Sequence, residues 1–463
     1  MMKTINFQVN DEKHLVHLTA TRLAIYNQCK IIEATNDKNE SYYLFFYKDT
    51  FLTGKKTDAI KIRSTVSKAF KTGIVFSTPH PFIDRLLSQH RMFKFSTFNQ
   101  LHSRLKKDYS PQEIAFIFTF FDTYIKKAKI AKLIQTNFYH HRRDGQLLRA
   151  YQVLNLYRWA FPKSKWGTEV GTNLQYKKYA ETYSHGINTL FKKDPLFAEI
   201  DAFRHREQPK PFESLISLYK NENRLIDLLA LHIDRLMNSA TSETFSTVMR
   251  LLHEHTNTDE QTEILQAIYD QQSHIPELQK SLFDHYLFLN KNEAAINLLI
   301  QSQISITPSQ EKRLRKLFLK NEIDISTIEI ERCNHLIIQL FKDNPDALEE
   351  MVRACVEYLF KTKTIHEIEQ WLLPFQEAEI HLSLQQKIAN MVKIHEDPEQ
   401  QSMLGELYCE FQQFNKAIEC YKWEMELKPT DPTPVKSLTN LYQSIGESEE
   451  AKAYQQILMT MGK

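Results

Sequence analysis

From Pro398 to Lys463 the chain repeats one spacing of small and large residues, and that repetition restricts what it can fold into. With Pro398 as position 1 of a unit of about 34 residues, Leu404, Gly405 and Tyr408 take positions 7, 8 and 11. Ala417, Tyr421 and Pro429 take positions 20, 24 and 32. A second unit opens at Pro432, with Leu438 at 7, Tyr442 at 11, Gly446 at 15 and Ala451 at 20. Gly405 and Ala417 are small where two helices would cross closely, and Tyr408 and Tyr421 bring roughly 150–250 Å² each to bury. Pro429 cannot continue a helix, and Thr433-Pro434 reads as an N-cap followed by proline at the first helical position. The spacing predicts four helices over 398–463, with breaks near Gln413, Pro429 and Gly446.

This constellation resembles the tetratricopeptide repeat. The resemblance implies helix–turn–helix units stacked into a solenoid whose concave groove takes an extended peptide or a helix. One hairpin cannot bury its apolar face alone, so roughly three or more must stack, and degenerate copies are expected upstream. Gly145, Ala150 and Pro162 have the spacing of positions 15, 20 and 32, and Asp194-Pro195 closes another unit 33 residues later. Leu215 with Tyr219, Leu282 with Tyr286 and Ala295, and Pro345 with Ala354 and Tyr358 fit further copies, while Trp371–His395 slips out of register and leaves room for one extra helix. The fold class expected is mainly α, a helical-hairpin solenoid over about 131–463 behind a small N-terminal α/β domain. Some members of the family clamp a chaperone's terminal carboxylate with Lys and Asn on the first helix. The matching positions here are Ser402 and Glu406, which argues against that ligand. Bacterial peptide-sensing regulators also place an output module ahead of such repeats, but theirs is helical and the first hundred residues here read as strands.

Only 9 Gly and 15 Pro in 463 residues suit a mostly helical chain with few tight turns. Ile5–Val9 alternates like a short strand, Tyr42–Tyr47 reads as a buried one, and Gly73–Phe76 as a third. Between the first two, Leu15, Leu18, Ile25, Cys29 and Ile32 keep helical spacing, yet the same stretch can pair as strands, and periodicity does not arbitrate. Helical signals begin near Phe82. Ser110, Pro111 and Glu113 form a capping box ahead of a helix that is apolar over Ile114–Phe121 and basic from Lys126 to Lys132. The domains read as 1–105, a small α/β unit; 106–208, a basic helical region with degenerate hairpins; 209–397, degenerate repeats; and 398–463, two repeats.

The net charge of +2 conceals an asymmetry, with 35 Lys and Arg against 18 Asp and Glu in residues 1–210 and the excess reversed in 211–463. Lys126, Lys127, Lys129, Lys132, His140, His141, Arg142, Arg143 and Arg149 lie among Tyr124, Phe138, Tyr139 and Tyr151. Such a run grips phosphates and stacks bases in some proteins. The plainer reading makes the aromatics core and the charges a solvated face. Lys126, Lys129, Arg142 and Arg143 are the candidate anion-binding surface, for an acidic protein segment before nucleic acid.

Motifs for chemistry are scarce. There is no phosphate-binding glycine loop of either common type. His253-Glu254-His255 has no second histidine one turn away to share a metal, His140-His141 falls in a turn between expected helices, and His80 sits between prolines without a spaced partner. No catalytic, cofactor or metal site is expected. Cys29, Cys333, Cys355, Cys409 and Cys420 show no C-x-x-C pair, and Cys409 and Cys420 read as buried thiols of a reducing cytoplasm. The N-terminus lacks the apolar core of a signal peptide, and Ile114–Phe121 is far short of the ~20 residues of a membrane helix. The expectation is a non-enzymatic, cytoplasmic interaction scaffold with a protein or peptide ligand and no membrane. The alternatives are a nucleic-acid-associated protein using the basic half, a peptide-responsive regulator, and an enzyme with its site in the N-terminal domain.

Overall fold

Short polar turns decide the architecture of the first hundred residues. The computed structural model describes residues 4–11, 14–57, 59–184, 186–302, 304–320 and 322–461. Its strands are β1 (Asn6–Asp11), β2 (His14–Tyr26), β3 (Cys29–Thr35), β4 (Ser41–Tyr47), β5 (Thr50–Lys56), β6 (Ile74–Ser77) and β7 (Phe93–Lys94). Asn27-Gln28 and Lys48-Asp49 are two-residue hairpin turns, with Asn27 at φ 55° and Lys48 at φ 52°. Between β3 and β4 the Asn36 side chain accepts from the N–H groups of Lys38 and Glu40, an Asx turn. The sheet runs β5-β4-β3-β2-β1-β7. Opposite β3, β2 pairs with β1 over its first half and with β6 over its second. A bulge between Ala20 and Arg22 bends β2 there. The two ends of the sheet meet, because Ser96 N–H donates to Thr53 Oγ1 and Thr53 Oγ1 donates to the Ser96 carbonyl. Gly54 permits the closure, since a Cβ there would lie 2.0 Å from the Phe95 ring. The region is thus a nearly closed sheet, and 15–32 is strand rather than helix.

The chain divides into two compact units, Met1–Leu278 and Gln279–Lys463. In the first, α1 (Thr65–Thr72), α2 (Pro81–Leu87) and α3 (Phe98–Leu105) are interleaved with the strands, and α4 (Pro111–Thr119), α5 (Lys127–Arg143) and α6 (Leu147–Ala160) follow. One sheet face carries Ala24, Ile31, Phe45 and Tyr47 into a core shared with α1, α3 and α4. Phe45 meets Phe121 at a centroid distance of 4.7 Å. The Ser110 capping box forms as expected, with Pro111 at the first helical position. The single helix expected from Ile114 through Lys132 does not form. It breaks between Thr119 and Lys127, because Ile114–Phe121 is buried all round and the chain must turn to enclose it. His140–Arg143 form the last turn of α5 rather than a loop, and the turn itself falls at Gly145, at φ 72°.

The unit continues with α7 (Lys165–Gly171), α8 (Lys177–Ser184), α9 (Ile187–Lys193), α10 (Pro195–Arg204), α11 (Pro209–Asn221), α12 (Leu225–Asn238), α13 (Ser242–His255) and α14 (Thr258–Tyr269). A buried ion network fastens this series to the sheet. Lys30 of β3, fully buried, holds Asp227 of α12 at 2.5 Å and the Lys48 carbonyl at 3.0 Å. Asp227 also accepts from Arg224 Nε at 3.1 Å, and Arg224 Nη1 meets Glu199 of α10 at 2.6 Å. Arg85 of α2 adds a paired contact to Glu260 of α14.

The helix α15 (Pro276–Phe288) spans the division between the units. The second unit then holds α16 (Asn292–Gln301), α17 (Pro308–Leu319), α18 (Asn334–Phe341), α19 (Pro345–Leu359), α20 (Ile365–Glu377) and α21 (Ser383–Ile394). The last four are α22 (Gln401–Glu410), α23 (Phe414–Leu427), α24 (Pro432–Ile445) and α25 (Ser448–Met461), with the three expected breaks. Successive helices pack as hairpins, α22 on α23, α23 on α24 and α24 on α25, so the fold is mainly α, helical hairpins behind an N-terminal sheet. The N-cap of α24 is Asp431, whose carboxylate accepts from Thr433 N–H at 2.9 Å, and not Thr433, because Pro432 already holds the first helical position. In α19 the repeat register is one residue off, since Cys355 and Leu359 are buried where Ala354 and Tyr358 were expected. Cys409 is half-buried rather than buried, and all five thiols are unpaired. Because Ala417 is fully buried, Ala417→Leu is expected to destabilise the α22–α23 hairpin by about 1–3 kcal/mol through overpacking. An unchanged melting curve with undisturbed exchange of α22 amides would show that the register is wrong.

Candidate interaction surfaces

The repeat positions hold the C-terminal hairpins together and do not form a site. Leu404, Gly405, Tyr408, Ala417, Tyr421, Leu438, Tyr442 and Ala451 are buried, Pro429 is exposed just beyond α23, and Gly446 ends α24 at φ 87°. Near the start of α22, where the family's clamp would place cations, the chain has a buried acid. Glu424 of α23 accepts from Ser402 N–H at 2.5 Å and pairs with Lys428 at 2.8 Å. Glu406 is exposed beside it.

The four basic candidates all lie on α5 or its N-cap and are all exposed, but they do not cluster. Lys126 and Lys129 are at its start, Arg142 and Arg143 in its last turn, roughly 20 Å away at 1.5 Å per residue. At 100° per residue Lys129, Lys132, His140 and Arg143 share one solvent-facing stripe opposite buried Ile130, Ile134 and Phe138, and Arg142 lies off it. His140 is tied to Asp144 at 2.9 Å. The distal pair therefore belongs to a solvated face.

Lys126 and Lys129 belong to something more definite, a groove of about 610 Å³ between α3 and the start of α5. Phe98, Phe118, Ile130 and Leu133 give it apolar walls, and Asn99 and His102 supply neutral polar groups. Burial, together with nearby Lys106, holds His102 below the usual histidine range, favouring the neutral ring. Tyr124 also lines the groove, and its hydroxyl is buried without a hydrogen-bond partner. Burial pushes the ionisation of that phenol up, so the hydroxyl stays a donor. Among the described residues no carboxylate lines the groove. Sequence reasoning found the two lysines but missed the groove, whose walls come from three separate stretches of chain.

A second groove, of about 390 Å³, lies in the C-terminal unit. Ala347, Glu350, Met351, Ala354 and Glu357 form one stripe of α19 along it, and Phe318 and half-exposed Leu319 face them from α17. Small residues leave the stripe shallow, and acids flank it. The Gln412 amide donates to Glu357 at 3.2 Å and the Gln413 amide to the Glu357 carbonyl at 3.1 Å, which fixes the α22–α23 turn at the groove's rim.

The histidine groups resolve as structural. His80 is fully buried and caps α2, its Nδ1 accepting from Phe82 N–H at 3.2 Å, and burial pulls its pKa down to about 3. His255 lies 3.8 Å from Glu254, which is paired with Arg250. Among the described residues no group of three His, Cys, Asp or Glu is placed to hold a metal ion, and no helix is long and apolar enough to cross a membrane.

No family model matches the chain, and no curated protein does. Solved structures that align with it include Naa15/Naa10 bound to HypK-THB, at 10% identity and a TM-score of 0.18 over 78% of this chain and 60% of that one. Another is the APC/C hetero-tetramer Cut9-Hcn1, at 12% identity and a TM-score of 0.15 over 79% and 82% of the two chains. The chain thus spans about 60% of the length of the first of these. Similarity at that level does not establish a shared fold.

Proposed function

We propose that the protein is a non-enzymatic interaction scaffold of the tetratricopeptide type, receiving a helix or extended peptide of a partner protein along α19. The observation that supports this reading is the α19 stripe. Ala347 and Ala354, about two turns apart at 3.6 residues per turn, give a partner backbone room to approach, while Met351, Phe318 and Leu319 offer apolar contact. Glu350 and Glu357, set against one cation, Arg353, leave the rim net acidic and would favour a basic or neutral segment over an acidic one. Such helix-in-groove binding draws on apolar anchors at helical spacing.

Filling the groove tests the reading. Ala354 is only half-buried, so Ala354→Trp is expected to leave the melting temperature within a degree or two and to occupy the space a partner would use. In quantitative affinity capture from the source cell, proteins that co-purify with the native chain should fall by about tenfold or more with the variant, roughly 1.4 kcal/mol. An identical set of captured proteins from both chains would remove α19 as the binding face.

A further inference from the structure

The groove between α3 and α5 differs in chemistry from the α19 face. Helix N-termini favour anions, because the first N–H groups are unsatisfied and the helix dipole is positive there. α5 has the opposite arrangement. Its N-cap is Lys126, no side chain caps it, no acid occupies its first turn, and Lys127 and Lys129 follow. The N–H groups of Lys127 and Ala128 have no acceptor among the described residues. The adjacent carboxylate, Asp122, accepts from Thr65 N–H at 2.9 Å and lies with Lys127 in a separate small cavity. The start of this 17-residue helix thus joins unsatisfied N–H groups to Lys126 and Lys129 at the rim of an apolar groove, with no acid in its first turn.

We infer that this groove binds an acidic segment of a partner protein that carries an apolar anchor. Its carboxylates would lie at the start of α5 between Lys126 and Lys129, and its anchor between Phe98, Phe118 and Leu133. Charge complementarity selects the acid, and the apolar walls select the anchor. Nucleic acid fits less well. Phe98 and Phe118 already make T-shaped contacts with Phe121, at 5.2 and 6.3 Å, and His102 with Phe118 at 5.6 Å, and Phe118 is buried, which leaves little ring surface for a base to stack on. Lys55 stands over Phe98 at 5.3 Å and closes that face further. Two lysines one turn apart make a point of charge rather than a track along a backbone. The inference rests on the interaction-scaffold reading but uses a different face and the opposite partner charge.

The test uses the full chain and a fluorescein-labelled synthetic peptide, GEDELFDEEG, followed by anisotropy. The controls are a version with Leu and Phe replaced by Ser, a version with the acids replaced by Asn and Gln, and an oligothymidylate of about 15 nucleotides, long enough for a single-strand site. The acidic, anchored peptide should bind at least tenfold tighter than either altered version. Lys126→Glu with Lys129→Glu should weaken it tenfold or more, and Arg142→Gln with Arg143→Gln by less than twofold. All four are exposed, so folding should not be affected. The inference is overturned by absence of peptide binding, by equal binding of the anchorless peptide, or by indifference to the Lys126/Lys129 change. Tighter, steeply salt-dependent binding of the oligothymidylate overturns it in favour of nucleic acid. Ala354→Trp should leave peptide binding intact, so a failure here and a failure of the α19 reading are separable.

Discussion

Asp227→Asn is expected to destabilise the N-terminal unit by about 3–5 kcal/mol, because it removes the carboxylate shared by two buried cations and leaves both short of counter-charge. Lys30, fully buried on β3 and 2.5 Å from Asp227, would keep as counter-charge only the partly exposed Asp49 at 2.9 Å, and Arg224 would keep Glu199. Burial pushes the Asp227 carboxyl up, but Arg224 and then Lys30 outweigh it, and the net shift is downward. A depressed carboxylate contributes stability that is present above its unfolded value of about 3.9 and lost as pH falls through the folded value. The native protein should therefore lose stability on the acid side of about pH 4, and Asp227→Asn should flatten that limb. Glu199 acts in the opposite sense. Burial raises its pKa despite Arg224, so its ionisation weakens the fold as pH rises above the ordinary carboxylate value. Hydrogen exchange is the appropriate measurement in a chain of two units, since one transition midpoint would mix them. Amides of β3 and α12 should exchange roughly 10²–10⁴-fold faster in the variant. Lys30→Met should cost less than Asp227→Asn, because Arg224 still balances Asp227. Lys30→Met with Asp227→Leu should recover much of the loss, as apolar replacement of a buried pair is often neutral. If Lys30→Met proved the more damaging single change, Lys30 would matter through packing rather than as a charge.

That network illustrates what the sequence concealed. Lys30 and Asp227 are 197 positions apart, and nothing local marks either as buried. The strands at Tyr42 and Ile74 were legible because turn residues bound them. The second was harder, since in β2 the bulge after Ala20 breaks the two-residue alternation, and Leu23, Ala24 and Ile25 are then all buried by cover on both faces. Leu15, Leu18, Ile25, Cys29 and Ile32 kept helical spacing by coincidence. The break before α5 was hidden for a related reason, since Ile114–Phe121 has no polar face and a continuous apolar run contains no stop signal. The capping box at Ser110 was readable because its chemistry is complete within four residues. Of the candidate surfaces, charge was visible and shape was not. Composition singled out the basic run, but only the fold separates Lys126 and Lys129, which line a groove, from Arg142 and Arg143, which do not. The α19 groove was not legible, since Ala354 was read as a buried repeat position and instead lies half-buried on the groove.

The C-terminal hairpin was the most legible element, and Gly405→Leu should be its most damaging single change. Gly405 of α22 faces Tyr421 of α23, and a Cβ placed there would lie 2.7 Å from Cε1 and 2.9 Å from Cζ of that ring. The ring cannot withdraw freely, because Tyr421 is 4% exposed and its hydroxyl contacts Cys409 Sγ at 3.9 Å. The two helices must separate or the tyrosine must leave the core. Overpacking of this kind costs about 1–3 kcal/mol and sometimes more, and replacing glycine in a helix returns only about 1 kcal/mol of propensity. Gly405→Leu is therefore expected near the top of that range, about 2–3 kcal/mol, with α22 and α23 amides losing protection together while those of β3 keep theirs. The pairing gives a direct check. Tyr421→Ala alone should also destabilise, by leaving a cavity. Combined with Gly405→Leu it should cost less than the sum of the two, since the new side chain fills the space the ring leaves, a coupling of about 0.5–3 kcal/mol. Strict additivity would mean that Gly405 and Tyr421 do not share one packing site, and the small-against-large contact on which the tetratricopeptide resemblance rests would be lost with it.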